Sequence, residues 1–212
     1  MRPAGTPNHD HAEKQERILK AAALCFARDG FHGSSMKEIC SAADMSPGSV
    51  YRYFESKESI ITAMIEADRR RWEQRLAGIP VDEGLIPALR RLAEIGLREI
   101  EQQGFLNLWV ETLAEAARSP GVARSLRDSY RAFERRLADL VSESQRLGKT
   151  PASLRPVETA RIILSAFDGL LLRLCFDPKI DIDATLSAFL GFLDVSICQA
   201  APPAGRPRRR RS

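Results

Sequence analysis

Two helix starts packed into one short stretch constrain this chain more than anything else in it. In Gly30 to Glu58, GFHGSSMKEICSAADMSPGSVYRYFESKE, Ser35 and Glu38 stand at capping-box spacing, each able to satisfy an orphan amide at a helix N-terminus. A short helix therefore opens at Met36. Met36, Ile39, Cys40 and Ala43 follow at i, i+3, i+4 and i+7, a buried stripe about two turns long. Asp44 falls where a left-handed residue closes the helix, a conformation Asp visits at low cost. Ser46 is the next N-cap, and Pro47 gives up an amide hydrogen that would have been orphaned anyway. The spacing predicts a second helix over 47–54, joined to the first by a tight turn.

On that second helix Val50 and Phe54, four apart, face a core, which leaves Pro47, Gly48, Ser49, Tyr51, Arg52 and Tyr53 outside. Two tyrosines beside an arginine on a solvated face have no packing reason to be there. Phenol and hydroxyl groups bond phosphate and an arginine forks onto a guanine edge, so this face suits a DNA major groove. Gly48 allows a close approach, and the amides at this positive helix end suit a phosphate. The bland alternative is a helical hairpin with no nucleic-acid role.

From about Glu16 to Ala67 the chain resembles the DNA-binding domain of TetR-family transcriptional regulators. The shared residues are Ile18, Ala22 and Phe26 of a first helix, then Gly30, Phe31, Ser35, Met36, Ile39, Ala42, Ala43 and Ser46. Gly48, Ser49, Tyr51, Tyr53, Phe54, Ser56 and Lys57 complete the pattern. Asp44 replaces the glycine usual at the turn, and Cys40 a usual alanine. The resemblance implies that Ser35 and Lys57 hold phosphates, that Tyr51 and Tyr53 contact the backbone, and that Ser46, Pro47, Gly48, Ser49 and Arg52 lie near base edges.

The chain's 212 residues can bury a full core. Its net charge of +4 misleads, because Arg206, Arg208, Arg209, Arg210 and Arg211 supply five positives, without which the balance is slightly negative. Such a body binds DNA through a local patch, not through bulk charge. Cys25, Cys40, Cys175 and Cys198 form no CxxC pair and read as small buried hydrophobes, with a Cys25–Cys40 redox pair the minor alternative. His9 and His11 sit in a polar leader without further ligands, and His32 in a turn, where it touches phosphate or nothing. No metal, cofactor or catalytic set is implied. With no signal peptide and no apolar run long enough to span a bilayer, a cytoplasmic protein without membrane contact is expected.

The rest of the chain reads as helices, giving an all-α protein of about nine: a disordered leader at 1–12, a helix-turn-helix head at 13–57, and a linking helix at 57–77. A ligand-binding and dimerisation domain follows at 78–200, and a disordered basic tail at 201–212. Helices are predicted over 84–102, 104–117, 120–148, 155–176 and 182–200, with breaks at Gly104, Ser119-Pro120-Gly121, Gly148 to Pro156 and Asp177-Pro178. In the last two, Phe167, Leu171, Leu174, Leu186, Phe189, Leu190 and Leu193 belong to stripes too wide for one intramolecular neighbour, so a second copy of the chain is the expected cover. TetR-like proteins form a four-helix bundle there, across a two-fold axis.

Between head and bundle, Phe105, Trp109, Leu113, Tyr130, Phe133, Phe167 and Leu171 are candidates to line a ligand cavity, with Asp168 and Glu111 as its charges. Asp168 lies in the most apolar helix, and a buried carboxylate needs a partner: an arginine such as Arg173, or a cationic ligand. From Leu108 to Leu137 the chain also resembles the C-terminal half of the betaine-regulator type. The resulting expectation is a homodimeric regulator, a repressor rather than an activator, that binds a palindromic double-stranded DNA operator and is released by a small hydrophobic or cationic effector. A constitutive DNA binder needs no cavity. An all-α enzyme would need a convergent catalytic set, yet all three histidines lie within the first 32 residues.

Overall fold

Helix starts lie where the caps put them, but the helix predicted over 47–54 already ends at Tyr51. The computed structural model describes residues 7–100, 105–177 and 179–199, which hold α1 (Pro7–Gly33), α2 (Met36–Ala42), α3 (Pro47–Tyr51), α4 (Lys57–Ala77) and α5 (Leu85–Ile100). They continue with α6 (Phe105–Ala116), α7 (Pro120–Arg146), α8 (Pro156–Leu174) and α9 (Ile182–Gln199), and no strand occurs among them. The Ser35 hydroxyl accepts from the Glu38 amide while the Glu38 carboxylate accepts from the Ser35 amide, so both halves of the capping box are made. Asp44 has φ 49°, the left-handed residue that ends α2. Ser46 accepts from the Ser49 amide and Pro47 opens α3.

The N-terminus departs from the sequence reading. Instead of a disordered leader through residue 12, α1 is already helical from Pro7, and Lys14 pairs with Asp10 at 2.6 Å one turn away. The His11 ring also packs on Tyr53, 4.7 Å between centroids, giving this turn a neighbour that periodicity alone does not reveal. Gly30, at φ 73°, kinks the chain at the far end of α1. Residues 1–6 and the tail at 201–212 lie outside the described residues.

Two apolar cores result. One joins α1 to α4 through Ile18, Phe26, Ile39, Val50, Phe54 and Ile60, the other joins the later helices through Leu76, Leu89, Leu137, Val141, Ile163 and Leu190. Burying each such side chain is worth about 1.5–3 kcal/mol. Helix α4 belongs to both, with Ile60, Ile61 and Ile65 in the first and Leu76 in the second.

The stripes of α8 and α9 are divided differently from the expectation. Leu171, Leu186, Leu190 and Leu193 are buried within this chain, and Phe167, Leu174 and Phe189 are half-buried. The face left open carries Ile162, Leu172, Phe176, Phe192 and Val195. Both helices are apolar on two sides, and one of those sides meets the chain's own α5 and α7.

Candidate DNA interface and effector cavity

Val50 is fully buried and Phe54 nearly so, and together they fix which side of α3 faces out. Tyr51 is 51% exposed, and Pro47, Gly48 and Arg52 are exposed beside it. Added atoms at Gly48 would meet nothing within 4 Å, so this end of α3 is open to a close neighbour. Arg52 donates to the Ser49 hydroxyl at 3.4 Å, a weak contact that a guanine edge can replace. Tyr53 is half-buried between His11 and the head core, so only part of it is presented.

Two groups on α1 that the sequence reading missed support this face. Arg17 donates to the Asp44 carbonyl at 3.0 Å and so ties the turn between α2 and α3 to α1, while Lys14 lies near Tyr53 and Arg52. Basic residues on a polar helix look like any solvated face until the fold places them.

Lys57 does not stand as expected. Its ammonium donates to the carbonyls of Phe31 and Ser34 at 2.6 and 2.7 Å and lies 4.7 Å from the Phe31 ring centroid. Two of its three donors satisfy carbonyls at the end of α1, so it is a strut inside the head with one donor left over. Ser35 remains exposed at the start of α2, its hydroxyl shared with Glu38 at 2.7 Å.

Behind the head lies a cavity of about 930 Å³. Of the sequence candidates, Trp109, Tyr130, Phe133, Phe167, Asp168 and Leu171 line it together. Leu113 does not, and the Phe105 side chain lies outside the described residues. Helices α4 and α5 contribute Trp72, Leu76, Leu89, Leu92 and Glu99, which local patterning gives no reason to join to α8. At one end the cavity reaches the outer side of α1, walled by Leu19, Ala23, Leu24 and Ala27, with Leu24 69% exposed.

Asp168 has a different partner from the arginine considered above. Burial lifts its carboxyl to about 6, and the Tyr130 hydroxyl bonded to it pulls the other way. The same burial, with Asp168 adjacent, drives the Tyr130 phenol well above its ordinary value, and Trp109 donates to its oxygen. Arg173 is exposed, its guanidinium over the Phe176 ring at 6.0 Å.

Glu111 lies outside the cavity as well. Its carboxylate accepts from the Phe31 amide at 2.9 Å and packs against Gly30, joining α6 to the end of α1. His32 lies 3.3 Å from both Glu115 and Arg118, and Ser119 donates to Glu58 at 2.7 Å. The head is thus pinned to α6 and to the start of α7.

Residues 18–64 match the description "Bacterial regulatory proteins, tetR family", and residues 87–194 match "BetI-type transcriptional repressor, C-terminal". The chain belongs to the TetR family. The HTH-type transcriptional regulator UidR of Escherichia coli is 31% identical over 159 residues, covering 73% of this chain and 78% of its own length. The HTH-type transcriptional repressor Rv1474c of Mycobacterium tuberculosis is 29% identical over 200 residues, covering 90% and 96%. The solved structure of Salmonella enterica GusR superposes with TM-score 0.73 at 30% identity, covering 93% of this chain and 98% of that one. These TetR-family relatives are DNA-binding regulators, not enzymes. No described helix is long and apolar enough to cross a membrane.

Proposed function

We propose that this TetR-family chain is a dimeric repressor that grips a palindromic operator with two α3 helices and releases it when a small molecule with a hydrophobic body fills the cavity. The observation that carries the DNA half is the outward face of α3, where Tyr51, Arg52 and Gly48 stand free on a helix pinned from behind by Val50 and Phe54. Pro47, Ser49 and Arg52 meet base edges, with Ser46 and Ser35 at the flanking helix starts and Tyr51 and Tyr53 on the backbone. Rv1474c and AcnR of Corynebacterium diphtheriae are named repressors, which favours repression over activation.

The cavity supports the effector half, since a constitutive DNA binder has no use for about 930 Å³ of mainly apolar space. Helix α4 carries Trp72 and Leu76 on the cavity wall and begins six residues after α3 ends. An effector that fits a tilted α4 better than a straight one shifts the population toward the tilted form. The two α3 helices then leave the spacing of about 34–36 Å that successive major grooves demand.

Tyr51→Ala and Arg52→Ala test the DNA half. Each should remove specific operator binding in a band-shift titration while Tm stays within a few degrees, because neither side chain belongs to a core. If both variants lose their fold, or both still bind the operator, the assignment of this face fails.

A further inference from the structure

The charges that line the cavity do not balance, and the imbalance is local. Its cations are Lys20, Arg69 and Arg71, and each is already paired: Lys20 with Glu16 at 2.7 Å, Arg69 with Glu66 and Glu73, Arg71 with Asp68 and Glu99. None of them reaches Asp168, whose bonded neighbour is the neutral Tyr130. Trp109 donates to the Tyr130 oxygen, so the phenol proton is directed onto Asp168 and the carboxylate keeps its full charge with only neutral support.

The second buried acid at the cavity already has cations of its own. Glu99 is 2% exposed and lines the cavity, and while one of its oxygens is held by Arg75 and Arg71, the other has no hydrogen-bond partner among the described residues. That oxygen is closed off from the open space of the cavity, so Asp168 is the acid that a ligand there can meet.

We propose that the effector is an organic amine, protonated at neutral pH, whose ammonium bonds Asp168 beside Trp109 and Tyr130 while its hydrophobic body occupies the apolar remainder of the cavity. The faces of Trp109 and Tyr130 add attraction for a cation at that end. The assignment rests on the effector reading above and narrows it to one chemical class.

Three probes of one chain length separate the possibilities: decylamine, decanol and decanoate, each below its micelle concentration at pH 7.5, titrated against the full-length protein by tryptophan fluorescence and thermal shift. Decylamine should bind at least about tenfold more tightly than decanol, as one charge-assisted contact is worth, and decanoate most weakly. Asp168→Asn should bring the preference for decylamine over decanol to near unity, and continued binding of decanol to the variant shows that the cavity is intact. Equal binding of decylamine and decanol by the wild type, or an undiminished preference in the variant, overturns the amine assignment. If decanol binds and weakens operator affinity with no preference among head groups, the effector reading stands and only the amine is lost. If none of the three binds, both fall.

Discussion

At the scale of single residues, Asp168 is a carboxylate whose burial carries a cost. Burial holds its carboxyl at about 6 against an ordinary 3.8, so the folded chain binds this proton more tightly than the unfolded chain does. Stability from this group is therefore present at low pH and is lost as pH rises through about 6. Asp168→Asn keeps the shape and removes the titration. Without ligand, the variant should match the wild type below about pH 4, gain a Tm advantage between about pH 4 and 6, and keep it, on the order of 3 °C, up to pH 7.5. Parallel Tm curves across that range would mean that the carboxylate is well solvated. Lys57 teaches the complementary lesson, because its motif position suggests a phosphate ligand while its geometry gives it the carbonyls of Phe31 and Ser34.

Among the elements, the joint between head and body is a few side chains wide. Helix α7 starts with Ser119 bonded to Glu58 on the first turn of α4, and a Cβ at Gly121 would collide with the Glu58 carboxylate. Glu58 is exposed and can swing aside, so Gly121→Ala should leave Tm within a few degrees while breaking the Ser119 contact. It should then change operator affinity severalfold, in the same direction as Glu58→Ala, as expected for a coupling contact worth about 0.5–2 kcal/mol. Unchanged operator binding in both variants would show the joint to be passive. The elements themselves were legible in the sequence because caps are local: Ser35, Asp44, Ser46 and Ser119 each mark an end within a few residues. The cavity was legible only in part. Tyr130 and Asp168 stand out by type, whereas Trp72 and Leu89 join them through contacts between distant helices, and Glu111 turns toward Phe31 for the same nonlocal reason. Periodicity located the apolar stripes of α8 and α9 but not which stripe the chain keeps for itself.

For the whole molecule, the open face of α8 and α9 is where the proposed second copy would sit. Ile162, Leu172, Phe192 and Val195 stand exposed around Gly169 and Gly191, at which an added Cβ would meet nothing within 4 Å, so a second copy can approach closely. Phe192→Glu should convert a sedimenting dimer to a monomer of unchanged helicity that no longer holds a palindromic operator. A wild-type monomer at micromolar concentration, or a Phe192→Glu dimer, would contradict the two-fold assembly. The outer wall of the cavity has a further consequence, in the order of events. Leu19, Ala23 and Leu24 of α1 wall the cavity from the side of the DNA-binding head, so on the proposed reading an effector there lies against the part of the protein that the operator holds still. On the proposed reading, the effector should associate more slowly with operator-bound protein than with free protein, which stopped-flow tryptophan fluorescence with and without operator DNA would show. The time for which a gene stays silent after the effector arrives would then be set by how often the protein leaves its operator unaided.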